Sequence, residues 1–355
     1  MTRLTDKPDI DRDGETAAAA GNPLALARLA DRIAGNDPAR ARALCAEALR
    51  LAPHEPEVAT IAAELMSESV PAWHAAIVAD RARNEAYDAA LRDAVTPGAR
   101  VLEVGTGSGL LAMMAARAGA AEVVTCEENP VVAERAREII ARNGYAGRVR
   151  VIGKHSSEVR IGEDISGPAD IFVSEIISGS LLNEAVLPVM EDVVPRLVRP
   201  GGIVIPYRAS IRIALAWYAG APNMRIGDVE GFDLSAFNGL LAPHYPLQIE
   251  DPLLTLASPA ADLFAFGFSS GGPYPDGRNR IVVRAGSRAN GVVQWIRIRT
   301  DEASHYENRP GSGEASSWSA EFHPLSDGGV METGEDIAVC GSHGKTALRI
   351  WTARL

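Results

Sequence analysis

Apolar residues recur at helical spacing in three stretches near the start of the chain. Leu24 to Ala34 form the first, Ala41, Leu44, Cys45 and Ala48 share one face of a second that opens at Pro38, and Glu57 to Met66 form a third. Residues 1–20 precede them with charges, Thr and an alanine run that has no apolar period, so a disordered lead-in is expected there. Trp73 to Ala94 predicts a further helical pair, closed by the turn residues Pro97-Gly98. From Arg100 the pattern changes to short β-branched runs alternating with alanine-rich helices: Val101–Val104, Leu110–Ala118, Glu122–Cys126, Pro130–Asn143, Val149–Ile152 and Ile171–Ser174. Such alternation predicts an α/β fold with a parallel, doubly wound sheet covered on both faces. Past Ile205-Pro206 the runs alternate in or out with period two: Ile211–Trp217, Leu263–Phe268, Ile281–Arg284, Val292–Ile298, Glu321-Phe322 and Leu348–Trp351, separated by Gly, Pro, Asn and Asp. An antiparallel all-β barrel or sandwich is expected there. The expected organisation is a lead-in at 1–20, a helical segment at 21–70, an α/β domain at 71–206 and a β domain at 207–355.

At 355 residues and 46% hydrophobic content the chain has core material for two or three packed parts. Its first fifteen residues are too polar for a secretory segment, and no apolar run approaches the roughly 18 residues of a membrane span. Cys45, Cys126 and Cys340 lie too far apart for a disulfide framework or a metal-ligand pair, which suits a reducing compartment, and a cytoplasmic protein is expected. The formal net charge of -11 disfavours nucleic-acid backbones as partners and favours encounter with a cationic substrate such as an arginine-rich segment. The punctuation of Ala46-Glu47-Ala48-Leu49-Arg50-Leu51-Ala52-Pro53 resembles the second half of a tetratricopeptide repeat. One repeat cannot bury its own face, so this segment is expected to lean on a neighbour or a partner.

The chemistry concentrates at the ends of the expected parallel strands. Val101–Val104 runs into Gly105-Thr106-Gly107-Ser108-Gly109, and a helix follows from Leu110. Glycines at a strand-to-helix turn let the backbone approach a ligand and aim helix N-terminal N–H groups at it. Leu110 stands where a dinucleotide fingerprint needs its third glycine, which disfavours NAD. The spacing from Glu103 to Gly109, E-x-G-x-G-x-G, resembles motif I of the Rossmann-like class I methyltransferases, which implies S-adenosyl-L-methionine as cofactor and Glu103, Gly105, Thr106, Gly107, Gly109 and Leu110 around it. The second strand ends in Glu127, 22 residues after Gly105, placed to accept from both hydroxyls of a ribose; the adjacent Glu128 is the competing choice. The third strand leads to Ser156, Ser157 and Glu158, where Ser157 or Glu158 would meet an adenine amine.

The fourth strand ends in Glu175, and a loop joins it to Glu184 nine residues on. Two carboxylates closing a hairpin at the edge of the sheet suit a guanidinium, which is planar, permanently charged and able to bond each of them through paired N–H groups. One nitrogen is thereby oriented and left nucleophilic.

These residues together resemble the protein arginine N-methyltransferase family. Val101 to Leu111 is similar to its motif I, Glu127 to its post-motif acid, and Ser174-Glu175 to Glu184 to its double-E loop; Lys154 to Val159 is most similar to the monomethylating branch. The segment His74 to Asn84 is similar to the family helix H-E-E-M-L-x-D-x-x-R, which implies that Arg83 meets the cofactor carboxylate and His74 lines the cofactor lid. The family's Thr-His-Trp loop corresponds to Ser316-Ser317-Trp318, with Ser317 in place of the histidine and Trp318 beside the substrate. The resemblance implies Glu175 and Glu184 as catalytic and substrate-binding residues, no metal, an arginine-containing protein or peptide as substrate, and a homodimer joined by an arm for which Asn223 to Ala242 is a candidate. Two other readings stand beside it: the same site acting on a free guanidine or amine in a biosynthetic pathway, and a non-catalytic cofactor-binding scaffold.

Overall fold

Capping residues set the helices of the N-terminal part. In the computed structural model, which describes residues 12–68, 74–221 and 225–355, the chain divides into two units, Met1–His74 and Ala75–Leu355. In the first unit Asn22 accepts from the Ala25 N–H at 3.1 Å and opens α2 (Pro23–Ile33), and Asp37 accepts from the Arg40 N–H at 3.1 Å and opens α3 (Pro38–Leu51), each with proline in the first turn. They follow α1 (Arg12–Ala19) and precede α4 (Pro56–Glu68). The helix α1 corrects the expectation of a disordered lead-in over 12–19: alanine is the strongest helix former, and Ala19 is buried with Leu26, Leu29 and Leu44. Residues 1–11 of that lead-in lie outside the described residues, as does Trp73. The repeat-like hairpin is not left with a bare face, because α4 adds Val58, Ala62 and Leu65 to the same cluster.

The second unit takes in the rest of α5 (His74–Val78), then α6 (Arg81–Ala94), β1 (Arg100–Val104), α7 (Leu110–Ala118), β2 (Glu122–Cys126), α8 (Pro130–Arg142), β3 (Val149–Ile152), β4 (Ala169–Ser174), α9 (Val186–Leu197) and β5 (Val198–Ile205). The five strands pair in parallel in the order β3-β2-β1-β4-β5. The order reverses between β1 and β4, and a doubly wound sheet opens its ligand crevice at such a switch, beyond the carboxyl ends of the strands. Val104 lies opposite Ser174 in the register, so Gly105 and Glu175 leave the sheet side by side. That single pairing brings the glycine loop and the first carboxylate together.

Among the described residues twelve further strands follow: β6 (Arg208–Tyr218), β7 (Asp228–Val229), β8 (Phe232–Asp233), β9 (Tyr245–Leu247), β10 (Leu254–Leu256), β11 (Ala261–Gly267), β12 (Gly277–Arg284), β13 (Gly291–Arg299), β14 (His305–Glu307), β15 (Ala320–Pro324), β16 (Asp336–His343) and β17 (Leu348–Arg354). A seven-stranded antiparallel sheet centred on β6 and β13 faces a three-stranded sheet β12-β16-β17, and Ile213, Leu215, Val292, Val283 and Val339 fill the space between. Parallel strands give way to antiparallel ones between β5 and β6, but packing does not stop there. Ile211, Phe266, Phe268, Ile296, Ile298 and Trp318 belong to the same buried cluster as Leu102, Phe172 and Leu187 of the α/β part.

Candidate active site

The loop after β1 is shaped by three glycines with left-handed backbone. Gly105, Gly107 and Gly109 have φ of 83°, 51° and 78°, a region that side chains with a Cβ seldom enter. Space forbids a side chain as well, since a Cβ on Gly105 would stand 2.7 Å from Ile176 and one on Gly109 2.8 Å from Ile140. The loop therefore presents bare backbone at the N-terminus of α7, where Leu110 begins the helix. Glu127 faces it, accepting from the Gly107 N–H at 3.2 Å and the Asn129 N–H at 3.0 Å, while Glu128 is exposed. Thr106 shares a 2.6 Å hydrogen bond with Thr125 under the loop. Glu103 is 1% exposed, and its Oε2 has no hydrogen-bond partner. Burial pushes its carboxyl up to about 8, Thr125 and the Ala112 amide pull the other way, and Glu127 and Glu175 add to the rise. After β3, Ser156, Ser157 and Glu158 form a single 3-10 turn in which Ser156 is buried and the other two are exposed. Arg196 of α9 clamps that turn, donating to the Ser156 and Val159 carbonyls at 2.9 Å and 2.5 Å. A glycine loop free of bulky side chains at the N-terminus of α7, an acid at the end of β2 and a buried carboxylate oxygen still lacking a donor fit the nucleoside and amino-acid ends of S-adenosylmethionine.

The two glutamates sit in unequal surroundings. Glu175 follows β4, and its side chain is 11% exposed; Arg83 of α6, at 4%, donates to its Oε2 at 2.6 Å. Its Oε1 is buried without a hydrogen-bond partner. Burial pushes the Glu175 carboxyl up to about 8, against the pull of Arg83 and with a further push from Glu184 and Asp80. Glu184 and Asp80 thus lie within electrostatic reach of Glu175. Glu184 is half-buried, and desolvation raises its carboxyl too. Arg83 is no surface residue: its Nε and Nη2 donate to Asn84 Oδ1 at 3.2 Å and 2.7 Å, and Asn84 is held by the Val78 carbonyl. Tyr87, one turn further along α6 and fully buried, donates to the Ser174 carbonyl at 3.1 Å and fixes the strand end from which Glu175 projects.

Asp80 joins these elements to the β part. It caps α6 by accepting from the Arg83 N–H at 3.1 Å, and its other oxygen accepts from Tyr306 Oη at 2.6 Å and from the Ser317 N–H and Oγ at 2.9 Å each. Ser317 thus meets the acid of the helix through its hydroxyl. Trp318 is 4% exposed and packs edge-on against Tyr306 with centroids 5.2 Å apart. The Asp80 carboxylate, Tyr306 and the clamp Arg196 are structural anchors that the sequence reading did not single out. Asp80 alone left a signal, since an aspartate three residues before Arg83 at a helix start is an N-cap pattern. His74 is the last residue of the first unit. Among the described residues no group of His, Cys, Asp and Glu is arranged to hold a metal ion.

Residues 88–206 match the family model for ribosomal protein L11 methyltransferase (PrmA). The chain is 33% identical over 282 residues to an arginine N(omega)-methyltransferase of Streptomyces achromogenes subsp. streptozoticus, covering 78% of this chain and 77% of that one. It is 41% identical over 140 residues to protein arginine N-methyltransferase 7 of Oryza sativa subsp. indica and 33% identical over 255 residues to that of Danio rerio. Of those two the chain spans only 19% and 36% of the length. Among solved structures, the Trypanosoma brucei PRMT1 enzyme-prozyme heterotetrameric complex with AdoHcy has the same fold, with a TM-score of 0.70 at 20% identity over 81% of this chain and 100% of that one. Arabidopsis thaliana protein arginine methyltransferase 10 follows at 0.65 and 16%, over 81% and 99%.

Proposed function

The chain belongs to the arginine N-methyltransferase family, and from that premise we propose that it methylates a terminal guanidinium nitrogen of arginine in a protein or peptide, with Glu175 and Glu184 holding the acceptor. The observation that carries the site assignment is the divided state of Glu175: one oxygen is committed to Arg83, while the other is buried and lacks a donor. A buried acceptor of this kind gains most from a cationic N–H donor.

S-adenosylmethionine, when bound, supplies a methyl group activated by its sulfonium. Gly105, Gly107, Gly109 and the N-terminus of α7 would hold it together with Glu103, Glu127 and the Ser156–Glu158 turn. Arg83 anchors Glu175 so that only Oε1 turns to the acceptor, and Glu184 engages the guanidinium from the far end of the loop. The pair orients the plane of the cation and draws its positive charge toward the bonded nitrogens, leaving the remaining one as nucleophile. Alignment of this kind can supply about 7–11 kcal/mol of a displacement barrier. Glu184, less enclosed than Glu175 and with its carboxyl raised, takes the proton that transfer sets free.

The reading extends to the assembly and the compartment. The described part of the 223–242 candidate exposes Phe232 at 70% and Leu240 at 78%, beside Val229, Leu234 and Phe237, and serves as the arm of a homodimer. A cytoplasmic location accords with three buried free cysteines, and among the described residues no helix is long and apolar enough to cross a membrane. Incubation with methyl-labelled cofactor, an arginine-containing peptide, whole protein extract and free arginine tests the proposal. Label is expected in peptide and protein arginine. Label confined to free arginine would overturn the acceptor, and none at all would overturn the activity.

A further inference from the structure

The loop carrying Glu175 and Glu184 is gripped at its tip by the β part. Gln294, in the middle of β13 and completely buried, donates from Nε2 to the Gly179 carbonyl at 3.0 Å, across 115 residues of sequence. Its Oε1 is buried without a hydrogen-bond partner. Val292 and Ile296 flank it on the same face of the strand, and Ile213 is its neighbour on β6. A residue serving packing alone would be apolar in that setting, because an unpaired amide oxygen in the interior is a desolvation cost that nothing nearby offsets. The amide is therefore accounted for by the bond it does make.

Gly179 is held from a second side as well. A Cβ there would stand 2.8 Å from the Ser319 carbonyl oxygen, so the tip lies directly against the chain that carries Ser317 and Trp318. That chain is fixed in turn by the buried Asn308, whose Nδ2 donates to the Trp318 and Ser319 carbonyls at 3.3 Å and 3.1 Å and whose Oδ1 accepts from the Ile296 N–H at 2.9 Å. Two buried amides thus reference the loop tip and the Ser316–Trp318 segment to the same strand. Gly179 lies four residues from Glu175 and five from Glu184, so any displacement of the tip reaches both carboxylates.

We propose that Gln294 is a positioning residue for methyl transfer: through its bond to Gly179 it sets how the two glutamates face each other, while touching neither acceptor nor cofactor. The inference rests on the two-glutamate reading above. Misplacement of reacting groups by about 1 Å can cost on the order of a hundredfold in rate.

The test is Gln294→Met, which keeps the volume, removes the unpaired oxygen and breaks the tether. Its melting temperature should match or exceed that of the unaltered protein and its affinity for S-adenosylhomocysteine should be unchanged, while kcat falls by at least about tenfold with little change in KM. Gly179→Ala, which pushes the tip off Ser319 from the loop side, should lower kcat similarly, and the double variant should be no worse than either alone. Unaltered kcat in Gln294→Met overturns the proposal, as does a melting temperature that falls in step with activity, or losses that multiply in the double variant. Failure of the underlying reading looks different, since the unaltered protein would then methylate no arginine.

Discussion

The hydroxyl of Tyr306 donates to Asp80 Oδ2 at 2.6 Å, joining residues 226 positions apart. Asp80 also caps the helix that carries Arg83, and Arg83 holds Glu175, so the β part reaches the Glu175 carboxylate in three contacts. Burial and the neighbouring carboxylate push the Tyr306 hydroxyl well above its ordinary value, which keeps it a donor. A hydrogen bond to a charged group contributes about 1.5–3 kcal/mol. Tyr306→Phe keeps the ring against Trp318 and should lose about 2 kcal/mol in urea unfolding, with weaker activity from a less firmly held Arg83. A loss below about 0.5 kcal/mol would show that Ser317 alone satisfies Asp80.

The two glutamates should part company when neutralised. Glu184→Gln removes a half-buried carboxylate whose main perturbation is desolvation, so the fold and cofactor affinity should persist while turnover falls by about 10²–10³ or more. Above pH about 8, where Glu175 is ionised, Glu175→Gln removes the same charge but leaves Arg83, 4% exposed, without its carboxylate, and breaking such a pair costs about 3–5 kcal/mol. Thermal unfolding of both variants beside their rates checks this; equal melting temperatures would mean that the ion pair contributes nothing to the fold.

Glu103 and Glu175, each pushed up to about 8, give the protein a pH signature. An unfolded glutamate titrates near ~4.3. Between that value and about 8 the folded chain holds more protons at these two sites than the unfolded chain does, so their contribution to stability declines as pH rises through the window. Binding a guanidinium favours the ionised Glu175, so acceptor kcat/KM should rise with pH and level off near 8. A melting curve that does not move between pH 5.5 and 8.5, with a flat rate profile, would contradict both statements.

Glu127 and Glu128 are adjacent, but only the first is bonded to the glycine loop, through the Gly107 N–H. Glu127→Ala should weaken S-adenosylhomocysteine binding by at least about tenfold in calorimetry, as loss of a charged hydrogen-bond acceptor implies, whereas Glu128→Ala should leave it within about twofold.

If the 223–242 segment is a dimer arm, Phe232→Asp with Leu240→Asp should convert the protein to a monomer in light scattering, since both side chains lose an apolar partner and gain a charge. A protein already monomeric without the substitutions would refute the arm.

Local pattern made much of this molecule legible. The β1–loop–α7 unit, β2 and β3 lie where periodicity and glycine spacing put them, because each is specified by neighbours in sequence. α9 and β5 escaped notice because both contain residues that read locally as breakers. Pro195 sits inside α9, where Met190, Val193, Val194 and Leu197 are buried and packing overrides propensity. Pro200-Gly201-Gly202 interrupts β5, which still pairs with β4 through Ile203, Val204 and Ile205. Of the site, Glu175, Glu184 and Glu127 could be named from spacing. Asp80 left only its helix-cap pattern, and Tyr306 and Gln294 left none, since their roles exist only once strands from distant parts of the chain lie against the crevice.

The shared cluster that runs from Leu102 and Phe172 into Phe268, Ile296 and Trp318 has a consequence for synthesis. A nascent chain released from the ribosome as far as Pro206 already carries every strand of the parallel sheet and the complete glycine loop. It still lacks the apolar side chains that cover one end of that layer and the hydroxyl that secures Asp80. The glycine loop can therefore form early in translation, whereas Asp80 stays unsecured until Tyr306 and Ser317 have emerged, and a ribosome stalled between these points leaves greasy surface for a chaperone to shield.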